Sequence, residues 1–255
     1  MFKDKQFRVR PVEEVIADLR EARKMYREIG RIFLADGDAL VLSTEKLLVI
    51  LKEIKFLFPE CQRVSIYGNP RDINKKTAED LKLLHENGID IVYVGAESGD
   101  DEVLELVRKG ANSDEIISAI RKLEDAEIMS SVTFISGLGG LALSKQHAIG
   151  SARVIKEARP SYAALLTLLL DPGAPMYKDL KNGSFEFMTP EQIAEETILL
   201  LDHARPKTDC VFRSNHASNY VPLKGTLPED NDQLIATLKS ALEQGAFKDD
   251  HFRLL

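Results

Sequence analysis

Short runs of β-branched and apolar residues alternate along the chain with longer segments in which apolar residues recur at helical spacing. Val15, Ile16 and Leu19 step along one face of a predicted first helix, and Arg31–Ala35 is the first predicted strand. The alternation continues for five or six units. It is typical of successive βαβ units, whose strands form a parallel sheet. The hydrophobic pattern therefore predicts an α/β fold.

The predicted elements follow one another in a regular series. The predicted strands are 31–35, 63–67, 90–94, 130–135, 163–170 and 210–213. The predicted helices are 12–29, 44–59, 75–86, 101–107, 114–126, 144–157, 189–203 and 229–244. Such a series predicts a parallel, TIM-barrel-like barrel or partial barrel with right-handed connections. Because the chain opens with a helix that no strand precedes, the predicted barrel lacks its first βα unit.

Length and composition indicate one domain. At 255 residues, of which 44% are hydrophobic, the chain is long enough to bury a full core. We expect the partial barrel to occupy residues 1–227, and residues 228–255 to form a C-terminal helix and tail that pack on the same domain. No apolar run approaches the ~20 residues of a membrane span, and the amino terminus contains no apolar signal core. We therefore expect a cytoplasmic protein with no membrane partner.

Charge and cysteine content exclude further classes of partner and site. The net charge of −7 argues against a general nucleic-acid-binding surface, which would carry a basic face. Cys61 and Cys210 form no C-x-x-C pattern, so neither a disulfide framework nor a zinc site is indicated.

Glycines and polar residues follow every predicted strand. These segments are Ala35–Asp38, Gly68–Pro70, Gly95–Gly99, Ser136–Gly140, Asp171–Gly173 and Arg213–His216. The carboxyl ends of parallel strands meet at one mouth, where glycines allow a ligand to approach the backbone and carboxylates accept ammonium or hydroxyl groups. The set predicts a polar, nucleoside-like ligand. The alternative is that these residues only form turns and helix caps.

Histidines and short motifs give weaker signals. His147 is expected to be solvated or at the edge of the core, like most helical histidines, whereas His216 lies in a polar segment with Arg213 and Asn215. These last three are candidates for contact with an unidentified substrate, and hydrogen bonding within the loop is the equal alternative for His216. The Gly137–Gly140 cluster lacks the spacing of a phosphate-binding loop. An aldolase or isomerase would need a lysine within a strand, and no predicted strand contains one.

The strand-end segments together resemble one family. The segments are Phe33–Ala39, Ser65–Pro70, Val94–Asp100, Ser136–Gly140, Leu168–Pro175 and Arg213–Asn219. In this order they resemble the radical S-adenosylmethionine superfamily, in the branch close to the Elp3-like and oxygen-independent coproporphyrinogen-oxidase-like proteins. The resemblance implies a partial barrel that binds a 4Fe–4S cluster and S-adenosylmethionine. It also implies cleavage of this cofactor to a 5′-deoxyadenosyl radical, which abstracts hydrogen from a substrate.

The resemblance assigns cofactor-binding roles to residues of the first three strand ends. Asp36, Gly37 and Asp38 resemble the loop that receives the methionine amino group. Asn69 and Glu97 resemble contacts to the ribose or to the methionine side. Carboxylates pair favourably with an ammonium group, so the residue types are consistent with these roles.

Three further residues complete the implied cofactor site. Lys109 stands where relatives place a basic residue for the methionine carboxylate, although a lysine at a helix end also interacts favourably with the helix dipole. The backbone of Gly137 and Leu138 resembles the wall beside the adenine base.

The chain departs from the family pattern in its cysteines. The family binds its cluster through C-x-x-x-C-x-x-C or a close variant after the first strand, and this chain begins just past that position. Cys61 and Cys210 lack partners at ligand spacing, so we expect the chain as given to be redox-inactive. Two hypotheses remain: the body of a radical enzyme whose start is missing, or a degenerate barrel that acts as a binding or scaffold protein.

The exposed edge of strand 31–35 further predicts a homodimer or poor solubility.

Overall fold

Seven strands form one sheet in which each strand lies beside its neighbour in the sequence. The computed structural model describes residues 8–253. The strands are β1 (Arg31–Leu34), β2 (Arg63–Tyr67), β3 (Ile89–Glu97), β4 (Met129–Ser136), β5 (Tyr162–Thr167), β6 (Cys210–Ser214) and β7 (Leu223–Leu227). Strands β1 to β6 are parallel, and β7 is antiparallel to β6. Within the described residues β1 and β7 do not pair, so the sheet is open, which confirms the predicted α/β partial barrel.

Ten helices of the described part connect and cover these strands. They are α1 (Val12–Met25), α2 (Thr44–Leu57), α3 (Pro70–Lys75), α4 (Ala78–Glu86), α5 (Asp101–Leu106), α6 (Ser113–Asp125), α7 (Gly140–Ala158), α8 (Met176–Asn182), α9 (Pro190–His203) and α10 (Asn231–Gln244). Short 3-10 turns occupy Ala39–Val41 and Asp250–Phe252. None of the helices within residues 8–253 is long and apolar enough to cross a bilayer.

The two faces of the sheet differ in burial. In β4, Val132 and Phe134 are fully buried in the core, whereas Ser131, Thr133 and Ile135 on the other face are half-buried. Alternate side chains of a strand point to opposite faces, so one face packs on the helices and the concave face stays partly open. This open face leads to the carboxyl ends of the strands.

The predicted helix 75–86 is α4, which begins three residues later, and a short helix that the pattern does not predict, α3, precedes it. Extended backbone at Lys76 separates the two helices. Asn69 begins α3 because its Oδ1 accepts a first-turn backbone N–H at 3.0 Å, and Pro70 suits the first helical position. Thr77 then begins α4 in a capping box with Asp80.

Two further elements are absent from the predicted series. The segment around Gly225 and Pro228 has the composition of a loop, yet it forms β7 because Leu223 pairs opposite Ser214 of β6. The helix α8 has no buried residue, so its sequence carries no apolar stripe from which a helix could be predicted. The predicted bounds of other elements are wrong by a few residues: α1 ends at Met25, β5 at Thr167, and α7 begins at Gly140.

The C-terminal helix α10 packs against α9 and β7. Its buried residues Leu234, Leu238 and Ala241 recur at the spacing of one helix face. The division of the chain at residue 227 stays a prediction.

Candidate functional site

A cleft of about 460 Å³ opens at the carboxyl ends of the central strands. Glu97 at the end of β3, Leu138 after β4 and His216 after β6 line it, together with Lys109 from the segment that follows α5. Half-buried Ile135 and the residues after β5 complete its wall. Four residues that the strand-end pattern and the resemblance single out are thus brought together.

An ion pair lines the cleft. Lys109 Nζ donates to Glu97 Oε1 at 3.2 Å, and the two side chains are 16% and 30% exposed. A register shift in the pairing of β3 with β4, together with a φ of 66° at Glu97, ends the strand and places this carboxylate at the mouth. Each partner keeps accessible hydrogen-bonding capacity. A ligand with a carboxylate and hydroxyl groups could therefore replace part of the pair.

Asp38 forms a second polar position, after β1. Its carboxylate faces the backbone N–H groups of Leu40 and Asn69 and the carboxyl of Asp72. Burial, and then the neighbouring Asp72 carboxyl, raises the pKa of Asp38 to about 6. Among residues 8–253 its buried Oδ1 finds no hydrogen-bond partner, and such an acceptor fits an ammonium donor.

Asp36 and Gly37 form the turn that carries Asp38. Both have positive φ angles, of 74° and 86°, and both are exposed. Asp36 and Asp38 line a separate pocket of about 340 Å³ between β1 and α1. The structure does not place Asp36, Gly37 or Asp38 on the wall of the central cleft. Asn69 also lies outside that wall, and its Oδ1 serves as the cap of α3.

The Gly137–Leu138 turn presents no free backbone donor. Gly137 N donates to Glu196 Oε1 at 2.8 Å, and Leu138 N donates to the Ile135 carbonyl at 3.1 Å. Gly137 has a φ of 80°, which favours glycine at this turn. Leu138 is 7% exposed and lines the cleft, so the turn contributes a fixed apolar wall.

The three residues predicted to contact a substrate, His216, Arg213 and Asn215, do not lie together on the cleft wall. His216 lines the cleft, and its Nδ1 accepts a hydrogen bond from Ser218 Oγ at 2.9 Å, as the loop alternative predicts. The Arg213 guanidinium donates to the carbonyls of Phe212 and Gly225 and thereby ties β6 to β7. Asn215 is exposed, and neither Arg213 nor Asn215 lines the cleft.

Sequence reasoning missed two buried ionisable residues behind the cleft. The expectation that His147 is solvated or at the core edge is wrong, because its side chain is 1% exposed. Glu196 is 4% exposed, so its side chain lies on the buried face of α9. Its position between Ile193, Ala194 and Leu200 on the apolar stripe of α9 is a signal that could have identified it.

The cysteines lie away from the cleft. Cys61 Sγ contacts the Arg63 carbonyl at the amino end of β2, and buried Cys210 begins β6. Burial raises the pKa of the Cys210 thiol to about 12, so this residue is a poor metal ligand. Within residues 8–253 no three His, Cys, Asp or Glu side chains lie together as a metal site. The described residues therefore do not supply the ligands of an iron–sulfur cluster.

Comparison with known proteins identifies the family. The sequence profile of the Radical SAM superfamily matches residues 2–148, which is more than half of the chain. The chain belongs to the radical SAM superfamily, whose members bind S-adenosylmethionine and a 4Fe–4S cluster.

Individual relatives agree with this assignment. The chain is 23% identical over 196 residues to the heme chaperone HemW of Bacillus subtilis (strain 168), a match that covers 72% of this chain and 50% of HemW. The fold matches coproporphyrinogen III oxidase HemN of Escherichia coli with a TM-score of 0.59 and 15% identity, over 76% of this chain and 45% of HemN. It matches an N-terminally deleted Elp3 of Methanocaldococcus infernus with a TM-score of 0.55 and 16% identity, over 92% of this chain and 59% of Elp3.

The profile match confirms the superfamily that the strand-end segments resemble, and these structures share its fold. The chain spans about half the length of the relatives that it matches.

Proposed function

We propose that this chain is the S-adenosylmethionine-binding body of a radical SAM oxidoreductase. The observation that carries the proposal is the convergence of Glu97, Lys109, Leu138 and His216 on one cleft at the strand ends of a radical SAM fold. When bound and reductively cleaved, S-adenosylmethionine supplies hydrogen-abstraction chemistry. Because the described residues do not supply ligands for the cluster, the roles proposed below are limited to binding and orientation.

The proposed binding roles follow from charge and burial. Lys109 would pair with the methionine carboxylate, and Glu97 would then be free to accept ribose hydroxyl or ammonium donors. Leu138 offers an apolar surface to the adenine base. Asp38 lies in a separate pocket beside β1, so its contact with the methionine ammonium stays a prediction of the resemblance.

Binding of S-adenosylhomocysteine to the full chain tests this proposal. Isothermal titration should give a dissociation constant below about 1 mM. Lys109→Met should weaken binding about tenfold, because a charge-assisted hydrogen bond contributes roughly 1.5 kcal/mol. Lys145→Met, at an exposed position of α7 outside the cleft, is the matched control and should bind like the wild type. No binding by the wild type, or equal losses in both variants, would contradict the proposal.

A second candidate function is a non-redox binding or scaffold barrel. The observation that favours it is the presence of only two cysteines, which lie at unrelated places in the fold. Reading the coding DNA directly upstream of Met1 in the same frame distinguishes the two functions. An in-frame cysteine triad supports the radical enzyme, and a stop codon supports the binding protein.

We also propose that the protein acts in the cytoplasm. The free thiols of Cys61 and Cys210 support a reducing compartment.

A further inference from the structure

A buried carboxylate stands directly behind the cleft. Glu196 of α9 is 4% exposed, and each of its oxygens accepts one hydrogen bond. Oε1 accepts Gly137 N at 2.8 Å and Oε2 accepts Ser144 Oγ at 2.7 Å. A buried carboxylate costs free energy through desolvation, and no cation of the described residues compensates it. The two bonds connect α9 to the turn after β4 and to the first turns of α7.

A buried histidine lies beside this carboxylate. His147 Nε2 lies 3.9 Å from Glu196 Oε1, and its Nδ1 shares a hydrogen bond of 2.8 Å with Ser98 Oγ. Ser98 Oγ in turn accepts Asp100 N at 3.0 Å, within the loop that follows Glu97. Hydrogen bonds of Glu196 therefore join α9 to the turn after β4 and to α7, and a separate set joins α7 to the loop after β3.

The contact between His147 and Glu196 is not an ion pair near neutral pH. Burial lowers the pKa of His147 to about 4, so its ring is neutral. Burial raises the pKa of Glu196 to about 7, against the opposing hydrogen bonds from Ser144 and Gly137. In the described part of the chain His147 is the one titratable side chain in contact with this carboxylate, and β4 and α10 contribute no charged group to its pKa.

We infer that Glu196 is a positioning residue, which holds the turn after β4 through Gly137 N. The inference rests on the proposed function, because this turn carries the Leu138 wall of the cleft. A charged acceptor binds an N–H about twice as strongly as a neutral one. The ionised form of Glu196 therefore fixes Gly137 more firmly than the protonated form does, and ligand affinity rises with pH.

The first experiment measures the hydrogen bond of the Gly137 amide without any ligand. The full chain is labelled with ¹⁵N-glycine, and the Gly137 amide is followed between about pH 5 and about pH 8. In the wild type its shift titrates with Glu196, whereas Glu196→Gln keeps the amide bonded to a neutral acceptor and abolishes the titration. Glu195→Gln, at the exposed neighbouring position, is the matched control and leaves the titration intact. A Gly137 amide that titrates equally in Glu196→Gln overturns the inference.

The second experiment measures ligand affinity at the cleft. S-adenosylhomocysteine should bind the wild type and Glu195→Gln about three- to tenfold more tightly at about pH 8 than at about pH 6. Glu196→Gln should bind with one affinity at both pH values, close to that of the wild type at the lower pH. Glu196→Ala should lose more, because it leaves Gly137 N buried without an acceptor.

The outcomes separate the inference from the function on which it rests. If Gly137 titrates through Glu196 but no variant binds S-adenosylhomocysteine, the proposed function fails and the positioning role of Glu196 is retained. The wild type binds S-adenosylhomocysteine if the proposed function is right. If the affinity of Glu196→Gln then depends on pH as strongly as that of the wild type, the inference fails and the proposed function stands.

Discussion

Two buried ionisable residues influence the pH dependence of stability at the scale of single residues. The folded pKa of Glu196 is raised to about 7, and that of His147 is lowered to about 4. The Glu196 contribution to the free energy of unfolding is fully present below the unfolded pKa of 4.5 and is lost as pH rises through the folded value. The His147 contribution is present above 6.5 and is lost as pH falls through its folded value. The two effects oppose each other in the acidic range.

Replacement of Glu196 separates the two contributions. Glu196→Gln removes the first and keeps the second, so its unfolding free energy, relative to the wild type, should rise by roughly 3 kcal/mol between about pH 4.5 and about pH 7. Urea denaturation across this range measures the difference. Glu195→Gln should show no such trend, and a constant difference between Glu196→Gln and the wild type would contradict the prediction.

The structure brings some of the residues predicted for the site to one cleft and leaves others outside it. Glu97 and His216 line the cleft because they lie where strands end at one mouth, and Lys109 reaches it from the segment after α5. Asn69 and Arg213 instead bond to local backbone, as polar residues in turns and at sheet edges often do. Their partners depend on the folded geometry, so residue type alone does not decide their role.

At the scale of elements, α7 and the loop after β3 approach at a glycine pair. A Cβ on Gly150 would lie 2.5 Å from the Gly99 carbonyl oxygen, and one on Gly99 would lie 2.1 Å from the Gly150 carbonyl oxygen. Ser151 Oγ accepts Gly99 N at 3.1 Å in the same contact. Backbone rather than side chain therefore sets how closely α7 supports this wall of the cleft.

This close approach predicts a large effect of one methyl group. Gly150→Ala should destabilise the protein by about 3 kcal/mol, because backbone atoms cannot move aside as a flexible side chain can. Gly30→Ala, where an added Cβ meets nothing within 4 Å, is the matched control and should change stability little. Thermal unfolding of both variants checks this, and equal midpoints would contradict it.

At the scale of the whole molecule, β1 is a free edge of the open sheet. Within residues 8–253 it pairs only with β2, and its Phe33 is 40% exposed. An unpaired strand edge offers backbone donors and acceptors to another chain. We propose that two copies associate through β1, as the sequence pattern leads us to expect.

Sedimentation velocity at rising concentration tests this association. The wild type should shift from monomer to dimer, and Phe33→Lys should shift the transition to higher concentration by about tenfold, because a charge at a strand edge opposes pairing. Phe56→Lys, at an exposed position of α2 away from the sheet edge, is the matched control. A wild-type monomer at every concentration would refute the proposal.

The sequence by itself determined the α/β class, the parallel strands and their helices, because hydrophobic periodicity, caps and strand-end glycines are local signals. It also determined the family, through segments at those strand ends. Only the tertiary structure decided that Leu223–Leu227 is a strand, since its pairing partner β6 defines it. It alone decided that Glu97 pairs with Lys109, and that Glu196 is buried behind Gly137. These features depend on contacts between separate elements of the fold, which no local pattern records.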